Sequence, residues 1–171
     1  MKRALYLVIA LALVAIAATF VMAGSIRSQG IPHLLACMDN GPVPVRWACE
    51  HSFFGSSLSD DERVALNRQA GAQWASIMSD AGQAEAVLNA LLAQGVDIDA
   101  RDLQVNGMTA VHIAAVSPDA DQLSRLLRHG ANPMLRDLTG RLPIDYARQA
   151  MEVHPDDATR LRVVKLLERR R

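Results

Sequence analysis

The chain has 171 residues, of which 50% are apolar and 21% are charged, and this fits one globular domain plus an added apolar segment. Eighteen Lys and Arg residues balance eighteen Asp and Glu residues, so the formal net charge is zero. This balance argues against a dedicated nucleic-acid-binding protein, which normally has a basic excess or a basic face.

The first predicted element, at residues 1–23, is an apolar helix with a basic start. Lys2 and Arg3 precede residues 4–23, which contain no charge. As a helix these residues are long enough to cross a hydrocarbon core of roughly 30 Å. The basic start predicts that the N-terminus stays in the cytoplasm and that the rest of the chain is exported.

The sequence leaves open whether this helix is retained as a signal anchor or removed as a signal peptide. Val21-Met22-Ala23 before Gly24 resembles the small-residue site at which a signal peptide is cut. A third interpretation is a lipoprotein, because Leu34-Leu35-Ala36-Cys37 resembles a lipobox. Polar residues separate that motif from the apolar run, which disfavours this interpretation. In all three cases the folded part lies outside the cytoplasm.

Residues 24–58 are predicted to be a linker and a cysteine segment. Proline and glycine interrupt residues 31–55, so we expect the order of this segment to depend on a cross-link. Cys37 and Cys49 are the only cysteines, and export predicts that they form a disulfide worth about 3 kcal/mol. The alternative is a metal site with residue types that bind zinc, formed by His33, Cys37, Cys49 and His51. Its spacing matches no zinc pattern, and export favours oxidised thiols.

Residues 59–171 begin with a predicted helix. Ser59-Asp60-Asp61-Glu62 is a capping box, in which the Ser59 hydroxyl and the Glu62 carboxylate each accept from an exposed amide. Apolar side chains then follow at helical spacing and predict one amphipathic helix through Leu66, Ala70, Trp74, Ile77 and Met78. Gly71 weakens this helix by about 1 kcal/mol relative to alanine.

The remainder of the chain contains an internal repeat. Two pairs of segments recur at an offset of 35 residues (91 to 126 and 101 to 136): Leu91-Leu92…Gly95 with Leu126-Leu127…Gly130, and Arg101-Asp102 with Arg136-Asp137. A third pair recurs at an offset of 33 residues (107 to 140), from Gly107…Ala114 to Gly140…Ala147. The period is that of one helix pair and a loop. The turn between the Asp and the Gly is two residues longer in the first copy.

These segments resemble the ankyrin-repeat family, whose unit of about 33 residues contains Thr-Pro-Leu-His-x-Ala. The two copies of that motif read Thr109-Ala110-Val111-His112-Ile113-Ala114 and Leu142-Pro143-Ile144-Asp145-Tyr146-Ala147. The resemblance covers residues 84–168. It predicts an all-α fold, namely a short ankyrin-like helical solenoid of about two and a half repeats with an N-terminal helical cap. Ala110 and Leu142 depart from the motif, because the first lacks the proline and the second lacks the capping hydroxyl.

No catalytic function is predicted. The chain lacks a Gly-rich phosphate loop and the Gly-x-Ser-x-Gly and His-Glu-x-x-His motifs, and no catalytic residue, metal or cofactor is assigned. His112 is expected to make structural hydrogen bonds, as in the family. The resemblance implies a protein-binding module that uses the turn tips and the outer face of the first helices. These positions correspond to Leu103, Gln104, Val105, Asn106, Asp137, Leu138, Thr139, Arg141, Tyr146 and Gln149.

An exported protein of this kind is expected in the bacterial periplasm, anchored in the inner membrane through residues 4–23 if they are not cleaved. Its expected partner is another protein and not a nucleic acid. The partner is either another envelope protein or a toxin that the chain neutralises as an immunity protein. The alternative function is a metal- or redox-responsive envelope protein that uses His33, Cys37, Cys49 and His51.

Overall fold

The computed structural model describes residues 2–170. Within this range the chain is 66% helical, with ten helices and a single pair of two-residue strands, so the predicted all-α class is confirmed. The chain divides into two compact units, Met1–Ser57 and Leu58–Arg171.

The first unit contains three helices: α1 (Lys2–Arg27), α2 (Ile31–Asn40) and α3 (Val43–Phe54). By length and composition, α1 is suited to cross a membrane, and none of its most apolar stretch is buried within the protein. It extends past the apolar run to Arg27 and packs on α3.

The segment predicted to be a linker is a helical hairpin, and its prolines begin helices instead of interrupting them. Pro32 and Pro44 lie in the first turns of α2 and α3, where a backbone amide has no partner within the helix. Gly30 reverses the chain between α1 and α2 with a φ of 110°. The Cys37 and Cys49 sulfurs form a disulfide with an S–S distance of 2.02 Å, which joins α2 to α3.

Loss of this bridge is expected to destabilise the first unit and leave the second unchanged. The bridge spans 12 residues, and closing such a loop in the unfolded chain contributes about 3 kcal/mol by chain entropy. We therefore expect Cys37→Ala with Cys49→Ala to lower the free energy of unfolding of Met1–Ser57 by about that amount. The chain has two tryptophans, Trp47 and Trp74, one in each unit, so fluorescence distinguishes the two unfolding transitions. An equal shift in the Trp74 transition would contradict this prediction.

The second unit consists of successive antiparallel helix pairs behind a capping helix. The elements are α4 (Asp60–Asn67), α5 (Ala72–Ser76), α6 (Ala81–Ala93), β1 (Arg101–Asp102), β2 (Met108–Thr109), α7 (Ala110–Val116), α8 (Ala120–Arg128), α9 (Pro143–Val153) and α10 (Ala158–Glu168). The pairs are α5 with α6, α7 with α8, and α9 with α10, and their first helices contact one another along the stack. A short antiparallel ladder of β1 and β2 lies before the second pair.

The single helix predicted over residues 60–78 is wrong. The chain forms α4, a reversal at Ala70 with a φ of 48°, and then α5. Gly71 allows this reversal, because a Cβ on Gly71 would lie 2.7 Å from the Leu66 Cβ. Ile77 is consequently half exposed instead of lying on the buried face. The capping box at Ser59 is present, since its hydroxyl accepts from the Glu62 amide and the Glu62 carboxylate accepts from the Ser59 amide.

A buried polar cluster joins the first two helix pairs. The Arg125 guanidinium donates to the Ser76 carbonyl oxygen at 2.6 Å, and the Gln122 amide donates to the Ser76 hydroxyl at 3.2 Å. Glu85 on α6 lies 2.5 Å from the His129 Nε2 and 3.7 Å from the Arg125 Nε. The hydrogen bond from His129 lowers the pKa of the Glu85 carboxyl. The cluster fixes how the second pair sits on the first.

Candidate interaction site

Two turns with an aspartate at their centre lie side by side at one end of the helix pairs. The Asp102 Oδ1 accepts from the backbone amides of Gln104 at 2.8 Å and Val105 at 3.2 Å. The Asp137 Oδ1 accepts from the amides of Thr139 at 2.8 Å and Arg141 at 2.9 Å. The same residue type therefore shapes both turns, which explains the recurrence of Arg-Asp in the sequence.

The arginine of the first recurring pair, Arg101, connects these turns. The Arg101 guanidinium donates to the carbonyl oxygens of Arg136 at 2.7 Å and Gly107 at 3.1 Å. The Leu138 amide donates directly to the Asn106 carbonyl oxygen at 2.8 Å. Gly107, with a φ of 66°, leaves room for this contact, because a Cβ there would lie 2.7 Å from the Leu138 Cγ. The turns are thus held rigidly against each other.

Asp137, which is predicted among the partner-binding residues, has its side chain turned into its own turn. Asp137 is only 5% exposed, and its oxygens accept from two amides and from the hydroxyls of Thr139 and Tyr146. Burial raises the pKa of the Asp137 carboxyl. The hydrogen bond from Tyr146 and those from Thr139 and Arg141 outweigh burial and hold the pKa well below its usual range. The Asp137 carboxylate therefore positions the turn.

The Asp137 carboxylate is expected to stabilise the second unit above pH 4 and to lose this contribution in acid. Its pKa is lower in the folded chain than in the unfolded chain, so the folded carboxylate is favoured above the unfolded pKa of about 4. We expect Asp137→Asn to cost about 2 kcal/mol at pH 7, because it weakens charge-assisted hydrogen bonds.

The measurement for this prediction is the free energy of unfolding between pH 7 and pH 3, followed through Trp74. The Asn variant should lose less stability than the wild-type chain over this range. Asp121→Asn is the matched control, because Asp121 lies on α8, away from the turns, and its side chain is 77% exposed. Identical acid profiles for Asp137→Asn and the wild-type chain would contradict the assignment.

Three of the six exposed residues predicted at the turn tips are apolar. Leu103, Val105 and Leu138 are 63%, 45% and 71% exposed. The polar residues predicted with them are also exposed: Gln104, Asn106 and Thr139. The three apolar side chains are held in place because the backbone next to them is fixed by hydrogen bonds. We call them the tip patch (Leu103, Val105 and Leu138).

One guanidinium, that of Arg141 at the end of the Asp137 turn, has a fixed orientation. The Arg141 Cζ is 3.9 Å from the centre of the Tyr146 ring, and its Nη2 donates to the Gln149 Oε1 at 2.7 Å. Arg141 and Tyr146 are half-buried, whereas Gln149 is exposed. The Tyr146 hydroxyl donates to Asp137 at 2.5 Å, and this hydrogen bond raises the pKa of Tyr146. The cation and the ring thus form a rigid edge next to the apolar tips.

His112 lies beneath this site and is fully buried. Its Nδ1 accepts from the Thr109 amide at 3.2 Å, so its Nε2 carries the proton and donates to the Arg141 carbonyl oxygen at 3.2 Å. Burial lowers the pKa of His112. The ring is therefore neutral and joins the second helix pair to the third, which is a structural role.

The quartet considered as a metal site does not form one. The sulfurs of Cys37 and Cys49 are bonded to each other and carry no thiolate for a metal. Across residues 2–170, no three His, Cys, Asp or Glu side chains are grouped so as to hold a metal ion.

Comparison with known families decides the identity of the repeat. The family model described as Ankyrin repeat matches residues 106–138, which contain β2, α7, α8 and the turn that follows. Residues 106–138 are an ankyrin repeat. Ankyrin repeats are protein–protein interaction modules, and this confirms the coarse prediction of a binding module.

Three known proteins are similar to part of the chain. A mitochondrial disaggregase of Homo sapiens is 30% identical over 96 residues, which are 54% of this chain and 14% of that protein. A putative ankyrin repeat protein of Borreliella burgdorferi is 32% identical over 73 residues, which are 42% and 17% of the two chains. An ARF GTPase-activating protein of Homo sapiens is 48% identical over 44 residues, which are 26% of this chain and 6% of that protein. The chain thus spans less than a fifth of the length of each relative.

Proposed function

We propose that this ankyrin-repeat protein is a non-catalytic interaction protein of the bacterial cell envelope, in which the tip patch and Arg141 bind a partner protein. The observation that carries this proposal is the exposure of Leu103 and Leu138 on turns whose backbones are fixed by hydrogen bonds. Binding costs less conformational entropy when the contacting groups are already ordered. A cation held at the edge of an apolar patch also suits a partner that presents an acidic group beside an apolar one.

The proposed location is the periplasm, with α1 retained in the inner membrane. Retention is supported by the end of α1, where Ala23 is fully buried and the helix continues without interruption to Arg27. The Arg27 guanidinium donates to the carbonyl oxygens of Ser52 at 2.8 Å and Ser57 at 3.1 Å. Cleavage after Ala23 would remove the helix on which α3 packs. The Cys37–Cys49 disulfide agrees with an oxidising compartment.

A specific form of this function is immunity, in which the partner is a toxin that acts in the periplasm. The small size of the chain and the periplasmic location proposed for it suit a protein that acts by occupying the surface of its target. The other form is an adaptor for a resident envelope protein.

Affinity purification of the full-length chain from membrane extracts tests this function. We expect one partner in stoichiometric amount, and its nature separates immunity from an adaptor role. A reporter enzyme that is active only outside the cytoplasm, fused after residue 171, tests location. A cytosolic reporter overturns the envelope proposal, and the absence of any stoichiometric protein from the extract overturns the binding proposal.

A further inference from the structure

Helix α3 has an exposed apolar stripe within the disulfide-bridged unit. Val43, Trp47 and Phe54 are 70%, 48% and 47% exposed. At 3.6 residues per turn these three positions lie within about 40° of one another around the helix axis, so they share one face. The opposite side of α3 is buried at Ala48, Cys49 and Phe53. We call the exposed stripe the α3 face (Val43, Trp47 and Phe54).

The α3 face lies beside the end of the apolar run in α1. The Phe20 ring centre is 5.5 Å from that of Trp47, which in turn is 4.6 Å from that of His51. At a rise of about 1.5 Å per residue, the run from residue 4 to residue 23 is about 30 Å long, which matches a bilayer core. Phe20 lies about 5 Å before the end of that run. With α1 across the bilayer, Trp47 is therefore at the boundary between acyl chains and headgroups.

We propose that the α3 face lies in the headgroup layer of the non-cytoplasmic leaflet, so that the unit Met1–Ser57 rests on the bilayer that α1 crosses. This inference rests on the retention of α1 proposed above. Tryptophan is enriched at this depth because its ring is amphipathic. The α3 face continues the apolar surface of α1, so the lipid that covers α1 also covers the α3 face.

Polar groups at the edge of the α3 face fit a lipid headgroup. An open pocket of about 480 Å³ is lined by Trp47, Glu50, His51, Phe54 and Gly55. Arg46 is exposed on the flank of the same face. A zwitterionic headgroup carries an ammonium that Glu50 can bind and a phosphate that Arg46 can bind, next to acyl chains for the two rings. A protein partner with an apolar surface is the other possible occupant, and the experiment separates the two.

The test uses the intact chain, purified with α1 and reconstituted in phosphatidylcholine vesicles. The chain has two tryptophans, so Trp74→Phe leaves Trp47 as the only reporter, and Trp47→Phe leaves Trp74 as the matched control. Lipids brominated near the headgroup end of the acyl chain quench only indoles close to them. We expect quenching of Trp47 to be several-fold greater than quenching of Trp74, with blue-shifted Trp47 emission. Circular dichroism verifies that both variants keep their helix content.

A second reporter guards against loss of structure in these variants. Val43→Trp in a chain that lacks both native tryptophans places an indole on the α3 face, where Val43 is exposed and no repacking is needed. Its emission should be quenched like that of Trp47. If acrylamide in the aqueous phase quenches the α3-face indoles and brominated lipid does not, the lipid assignment is overturned. A protein partner is then the occupant of the α3 face.

Retention of α1 is measured separately, from the mass of the chain recovered from cell membranes. A full-length mass supports the anchor. A mass that begins at Gly24 overturns the anchor, and with it the docking in the cell, whatever the vesicles show. Vesicle quenching that fails in a chain recovered at full length overturns the docking alone.

Discussion

Replacing His112 with alanine is expected to lower the free energy of unfolding of the second unit by about 4 kcal/mol. The ring is fully buried, so its removal leaves a cavity at the joint between the second and third helix pairs. It also removes the hydrogen bonds to Thr109 and to the Arg141 carbonyl oxygen. The contact between the edge of the imidazole and the Tyr146 ring, whose centres are 5.9 Å apart, is lost as well.

The matched control for His112→Ala is Asp145→Ala. Asp145 occupies the same motif position in the next unit, but it is only half-buried. The Asp145 carboxylate caps α9 by accepting from the Leu142 amide at 2.9 Å, and the loss of such a cap costs about 1 kcal/mol. Chemical denaturation followed through Trp74 compares the two variants at pH 7. Equal losses would contradict the bridging role of His112.

The free energy of unfolding is also expected to depend on pH through His112, and the same denaturation experiment measures this dependence. Burial lowers the pKa of His112, so the unfolded chain takes up a proton near pH 6.5 that the folded chain does not. Stability therefore decreases as the pH falls through this range. We expect the wild-type chain to lose stability between pH 7 and pH 5. The His112→Ala variant should show a shallower decrease in the free energy of unfolding over the same range. A steeper slope in the variant would contradict the assignment.

The helix pairs could be predicted from the sequence because each unit repeats its own signals. The Leu-Leu segments supply the buried face of the second helices, and Gly95 and Gly130, with φ of 83° and 89°, end those helices in the left-handed region. These signals are local, so they can be recognised in a single sequence. The break between α4 and α5 could not be predicted in this way. It depends on the contact of Gly71 with Leu66, and the helical spacing of the apolar residues was equally compatible with one helix.

The partner-binding residues stay predictions, and the structure adds which of them are exposed and which are buried. Asp137 was grouped with the exposed turn residues because it lies at a turn tip, where the family makes partner contacts. Its oxygens instead point into the turn, and the recurrence of Arg101-Asp102 as Arg136-Asp137 was the available signal. The helices of the cysteine segment were missed for a related reason. Pro32 and Pro44 were interpreted as breaks, whereas proline in the first turn of a helix is favourable.

Placing aspartates on both turn tips, with Leu103→Asp and Leu138→Asp, is expected to weaken partner affinity by about 4 kcal/mol, or roughly a thousandfold. Each change puts a charge where the proposed interface buries an apolar side chain, and a charge buried without a partner is costly. Both leucines are exposed, so the fold should be retained. Tyr146 is left unchanged, because its hydroxyl holds Asp137 in place. The dissociation constant for the purified partner measures the effect.

The matched control places the same two charges at the far ends of the first helices. Val116 and Val153 are 43% and 68% exposed and end α7 and α9, whereas the tips precede the start of these helices. Val116→Asp with Val153→Asp should therefore keep the affinity of the wild-type chain, since net charge and apolar exposure change in the same way. Equal weakening by both double variants would mean that charge alone determines binding. Full affinity in the Leu103 and Leu138 variant would place the interface elsewhere on the helix stack.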